Sequence, residues 1–108
     1  MMGIYLITIE AEEIDKVFYY VGASKHIEDR IRAHESSSES APSILQRKLM
    51  HHNIRYEPFW EVLDEIDDVA ELSSREQKWY RLFKDNTETR ENEVLINKKT
   101  PCNSAGWN

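Results

Sequence analysis

Residues Gly3 to Ile9, GIYLITI, form a nearly continuous apolar run of β-branched and aromatic side chains. Successive side chains of a strand point to opposite faces, so a strand of this composition is stable only when both faces are covered. Other elements must therefore supply apolar surface above and below it. Lys16 to Val21, KVFYYV, is a second strand-like run ended by Gly22. The polar, acidic residues 10–15 connect the two, which points to an antiparallel hairpin with a loop longer than the tight two-residue type. Tyr19 and Tyr20 must face opposite ways, so only one of them can share a face with Tyr5.

Downstream, Ser24 is placed to cap a first helix that carries Glu28 and Asp29 in its first turn and ends near Glu35. Ile27 and Ile31 give that helix one apolar stripe. The SSSES run at 36–40 reads as a flexible surface loop. Pro42 is suited to open a second helix, on which Ile44, Leu45, Leu49 and Met50 recur at helical spacing up to Asn53. Residues 55–66, RYEPFWEVLDEI, are strand-like, with Tyr56, Trp60 and Val62 as anchors; Pro58 suits an edge strand or a bulge. A strong third helix is expected over 68–86, and VLIN at 94–97 is a short extended return. The order β-β-α-α-β-α predicts one α+β domain over residues 1–108, a small antiparallel three-stranded sheet flanked by helices.

The chain is 108 residues long, room for a single core of two packed layers. No apolar run approaches the roughly 18 residues of a spanning helix, and no signal peptide is visible at the start. With the single cysteine, Cys102, this leads to the expectation of a reducing, cytoplasmic setting. The formal charge of −6 argues at first against a phosphate-rich partner. Its distribution is uneven, however. Residues 1–15 carry −4 and residues 56–76 carry −7, whereas residues 16–55 carry +3 and residues 77–108 carry +2. The middle of the chain is locally basic.

The third helix breaks its own pattern. Val69, Leu72, Glu76, Trp79 and Phe83 fall on one face, and the third of them is a carboxylate. Burying a carboxylate without a partner is expensive. Glu76 therefore sits at the stripe's edge, meets an arginine in a structural ion pair, or is presented into a cleft to hold a divalent cation. On the first helix, Arg30 and His34 are four apart and project side by side along the border of the apolar stripe. A forked cation beside an imidazole suits phosphate chemistry, and a surface Arg next to a partly covered His is the structural alternative. The adjacent His51 and His52, with Cys102, have no metal-ligand spacing and read as structural or surface residues. No Gly-rich phosphate loop, Cys-x-x-Cys or nucleophile elbow is present.

Taken together, Gly3-Ile4-Tyr5, Tyr20-Val21-Gly22, the continuation to Arg30 and His34, the helix SREQKWYRLF with Glu76, and VLIN with Asn97 resemble the GIY-YIG nuclease family. The resemblance spans roughly the whole chain, with five motifs in the family's order. It implies a metal-dependent endonuclease that hydrolyses phosphodiester bonds of nucleic acid, DNA above all, leaving 5′-phosphate and 3′-hydroxyl ends. In that reading Glu76 holds one Mg²⁺ or Mn²⁺, Arg30 neutralises charge on the phosphate, and Tyr5 or Tyr20 activates water with help from His34. Asn97, or alternatively Asn103, holds local structure or substrate, and Lys25, with Gly22 and Ser24, lines the substrate side. The 108 residues leave no room for the separate DNA-binding domain of many relatives, so selectivity is expected to be modest or to come from a protein partner. The alternative is a catalytically inactive nucleic-acid- or protein-binding module on the same fold.

Overall fold

The computed structural model describes residues 1–35 and 39–97. Strand β1 (Gly3–Ala11) runs through a 3-10 turn at Glu12–Ile14 into β2 (Lys16–Ser24), and helices α1 (Ile27–Glu35) and α2 (Ala41–His51) follow. Strand β3 (Glu57–Glu65), a 3-10 turn at Val69–Glu71, α3 (Leu72–Glu88) and β4 (Glu93–Leu95) complete the described chain. The fold is α+β, as expected, but the sheet is four-stranded and mixed rather than three-stranded and antiparallel, with order β3-β1-β2-β4. The additional strand is the three-residue β4, which pairs parallel to β2 from Val17↔Glu93 to Tyr19↔Leu95. A strand that short carries no period-2 pattern of its own. It forms because β2 offers it an open edge.

The central position of β1 answers the demand made by its composition. Ile4, Tyr5 and Ile9 are at most 1% exposed, and Leu6 and Ile7 are also buried. Tyr5, Ile7 and Ile9 join Ile27, Ile31 and Leu49 of α1 and α2 in one core. Ile4 and Leu6 join Val21, Ala23, Ile66 and Leu72 in the other, against which Trp79 and Phe83 of α3 pack. Each face of the sheet is thus closed by its own helical layer. Burying a large apolar side chain contributes about 1.5–3 kcal/mol, so β1 is the principal stabilising strand of both cores.

Several local expectations are corrected. Ser24 does not cap α1: it is the last residue of β2, and its hydroxyl accepts the His26 N–H at 2.9 Å across the turn into the helix. The residue that caps a helix is Ser40, ahead of α2, with Pro42 in the first turn. The third helix starts at Leu72, and Val69 lies in the preceding 3-10 turn, 42% exposed, outside the buried stripe. Trp60 is 45% exposed and is part of neither core, while Tyr56 and Val62 do pack on the first core. Pro58 is accommodated because β3 is an edge strand. The β1–β3 register shifts between Ile4 and Tyr5, and there a Cβ on Gly3 would lie 2.0 Å from the Asp64 carbonyl oxygen. Cys102 and Asn103, like most of the SSSES run, lie outside the described residues.

Candidate active site

The register of the hairpin settles which tyrosine joins Tyr5. Tyr5 is paired with Gly22 and Ile7 with Tyr20, so Tyr20 lies on the Tyr5 face. Tyr19 is on the other face, where its ring lies 5.5 Å from that of Phe83. The Tyr5 and Tyr20 ring centroids are 6.4 Å apart. The intervening space exists because residue 22 is glycine: a Cβ there would stand 2.3 Å from Tyr5 Cζ and 2.4 Å from its hydroxyl oxygen. Any side chain at that position would need the volume that the Tyr5 ring fills.

Helix α1 brings His34 onto this ring pair. His34 is 5% exposed, and its Nε2 is 2.8 Å from the Tyr5 hydroxyl. Its ring lies 5.8 Å from that of Tyr5 and meets Tyr20 edge-on at 5.3 Å. Burial, reinforced by the charge of Arg30, lowers the His34 pKa to about 4, so the ring is a neutral imidazole near pH 7. Arg30 is exposed on the same helix, and its charge acts on Tyr5, Tyr20, His34 and Glu76 alike.

Glu76 arrives from the opposite layer, on α3. Burial raises its pKa to about 7, with Arg30 pulling only part of the way back. Among the described residues it makes no ion pair, so the structural-salt-bridge alternative does not apply to it. A carboxylate that does have such a pair is Asp64 on β3, which accepts from Arg75 Nη1 at 2.8 Å and from Trp79 Nε1 at 3.2 Å. Glu76 also acts on the tyrosines: after burial, its negative charge is the next cause that raises Tyr20, and it contributes to raising Tyr5.

Asn97 clamps the edge of β2. Its Oδ1 accepts the Val21 N–H at 3.0 Å and its Nδ2 donates to the Val21 carbonyl at 2.8 Å. The amide side chain thus continues the ladder that β4 begins, and it fixes the strand between Tyr20 and Gly22. Lys25 is exposed immediately after β2, and Ser24 is buried at its end. The residues brought together are therefore Tyr5, Tyr20, Gly22, Arg30, His34 and Glu76, with Asn97 holding the backbone beneath them.

Two hydroxyls absent from the sequence reading belong to the same surroundings. Ser40 Oγ is 2.8 Å from His34 Nδ1, and Ser43 Oγ donates to the His34 carbonyl at 2.5 Å. The signal available for them was the Ser-Ala-Pro tripeptide at 40–42, which marks a capped helix start. A separate open groove of about 620 Å³ lies toward the other end of β1, lined by Glu10, Glu12, Arg55 and Glu57 among others. Its carboxylates make it a poor seat for a phosphate backbone.

Among the described residues no group of three or more His, Cys, Asp or Glu could enclose a metal ion. The donor set still fits Mg²⁺ or Mn²⁺. A hard cation of this kind commonly keeps several waters and takes one or two carboxylates, and Glu76 is a half-buried carboxylate whose charge nothing in contact compensates.

A family model described as the GIY-YIG catalytic domain matches residues 1–92. The match includes every residue of the cluster from Tyr5 to Glu76 and stops short of Asn97. No curated protein and no solved structure matches the chain.

Proposed function

The chain belongs to the GIY-YIG catalytic domain family, whose function is of the nuclease type, and on that premise we propose that it is a metal-dependent endonuclease acting on DNA. The reaction is in-line attack of water on a phosphodiester, leaving a 5′-phosphate and a 3′-hydroxyl. The observation that carries this reading is the placement of a half-buried Glu76, with no ion pair among the described residues, within electrostatic range of Arg30 and Tyr20. A neutral binding module has no need to hold a carboxylate in a setting that raises its pKa to about 7.

Each side chain has a defined part. Arg30, exposed at the rim, offers its guanidinium to the non-bridging phosphate oxygens and neutralises charge as it builds; one such donor is worth about 2.7–4 kcal/mol in comparable sites. Tyr20 is the better candidate to receive the proton of the attacking water, because the Tyr5 hydroxyl is buried and already bonded to His34. Tyr5 and His34 together hold the Tyr20 ring in place. Glu76 would hold one Mg²⁺ or Mn²⁺, and that cation would supply positive charge for the leaving oxygen and offset the negative charge that raises Tyr20. Lys25 contacts a neighbouring phosphate, and selectivity beyond the backbone comes from a protein partner. The compartment that fits is the cytoplasm; within the described residues no helix is long and apolar enough to cross a membrane.

Incubation with supercoiled, linear and branched DNA, with Mg²⁺ or Mn²⁺ and with chelator, tests this reading. Nicking that chelator abolishes, with 5′-phosphate ends, is the expected result. Salt-sensitive binding without cleavage under every condition would instead favour the inactive binding module.

A further inference from the structure

The hydrogen bonds around α2's first turn give a proton direction along the path from Ser43 through Ser40 and His34 to Tyr5. A carbonyl oxygen can only accept, so the 2.5 Å contact between Ser43 Oγ and the His34 carbonyl uses the Ser43 proton. Ser43 Oγ is then an acceptor for Ser40 Oγ, which donates to it at 3.0 Å. With its one proton used in this way, Ser40 Oγ accepts: it takes the Ser43 N–H as the cap of α2, and it faces His34 Nδ1 at 2.8 Å. That nitrogen must carry a hydrogen. A neutral imidazole has one N–H, so Nε2 presents a lone pair to the Tyr5 hydroxyl 2.8 Å away.

We propose that Ser40 is a positioning residue that holds His34 in its Nδ1–H tautomer, so that Nε2 accepts the Tyr5 hydroxyl and the Tyr5 ring is locked beside Tyr20 and Gly22. The alternative tautomer would put an N–H on Nε2 and a lone pair against Ser40, forcing the Ser40 hydroxyl to turn away from Ser43 and the Tyr5 hydroxyl to become an acceptor. A helix cap and a candidate active-site imidazole are thus the same hydrogen-bond system, and the start of α2 sets the state of a residue on α1. The catalytic consequence rests on the endonuclease reading; the tautomer itself does not.

The test is a ¹⁵N–¹H correlation spectrum of the His34 ring at pH 7, where the coupling pattern identifies the protonated nitrogen, recorded for the native protein, Ser40→Gly and Ser40→Thr. Glycine is tolerated as a helix cap at a cost of a few tenths of a kcal/mol, so Ser40→Gly removes the hydroxyl while the helix persists. The native protein and Ser40→Thr are expected to show Nδ1–H. Ser40→Gly is expected to show Nε2–H or a mixture, with kcat lower by about tenfold or more at unchanged KM. A native Nε2–H pattern, or a Ser40→Gly spectrum identical to the native one, overturns the proposal. If the native protein cleaves no nucleic acid, the endonuclease reading fails while the spectra still decide the tautomer.

Discussion

At the scale of single residues, the site holds two titratable groups displaced in opposite directions by the same cause. Burial favours the neutral form of each, lifting Glu76 from 4.5 to about 7 and depressing His34 from 6.5 to about 4. Glu76 therefore contributes stability that is fully present below pH 4.5 and is lost as pH rises through 7. His34 contributes stability that is present above pH 6.5 and is lost as pH falls through 4. Their effects oppose one another across one window. In chelator, Glu76→Gln is expected to be more stable than the native protein at pH 8, by about 1–3 kcal/mol with allowance for partial exposure, and the gain should vanish by pH 4.5. Thermal melts at both pH values check this; a Glu76→Gln variant less stable at pH 8 would show that the carboxylate is compensated in the fold. Gly22 makes a second prediction. Ordinary contact between carbon atoms is about 3.5–4.0 Å, so a Cβ at 2.3 Å from Tyr5 Cζ forces that ring to shift by over ~1 Å. Gly22→Ala should lower cleavage by about 10²-fold while far-ultraviolet circular dichroism is unchanged. Native activity in that variant would separate Tyr5 from the site.

At the scale of elements, β4 and its extension decide whether the edge of β2 is held. Asn97→Ala removes both hydrogen bonds to the Val21 backbone and should destabilise the protein by about 1–3 kcal/mol, with the Val21 amide exchanging faster than its neighbours on β1. Unchanged exchange at Val21 would mean that the clamp adds nothing to strand pairing. The same element marks what the sequence could and could not convey. The hairpin, its buried face and the misfit of Glu76 were legible because each is a local periodicity, of two in strands and of 3.6 in a helix. The pairing of β4 was not legible, since three residues carry no period and parallel pairing to β2 is a tertiary event. The hidden role of Ser40 has a different reason: Ser-Ala-Pro marks a helix cap, but the contact of that cap with His34 joins two helices and is a tertiary event. Trp60 misled because a strand on the edge of a sheet can leave an aromatic residue in solvent.

At the scale of the whole molecule, the proposed endonuclease activity requires a chain of net charge −6 to approach a polyanion. It can do so because the acids are concentrated in residues 1–15 and 56–76, whereas residues 16–55 carry +3, with Lys25 exposed just after β2 and Arg30 exposed on α1. Lys25→Ala should weaken DNA binding by a similar factor on all sequences and reduce the slope of log affinity against log salt by about 1, which a fluorescence-anisotropy titration at several salt concentrations reads directly. An unchanged slope would remove Lys25 from the interface. The two cores lie on opposite faces of the sheet, and the candidate site draws on both helical layers: α1 brings Arg30 and His34 from one, and α3 brings Glu76 from the other.

The proposed metal dependence rests on Glu76, and it is tested by DNA cleavage in Mg²⁺ or Mn²⁺ by the native protein and by Glu76→Gln, at matched concentration and with folding verified by melting. The expected result is metal-dependent cleavage by the native protein and none by the folded variant. Cleavage by Glu76→Gln at the native rate would contradict the account.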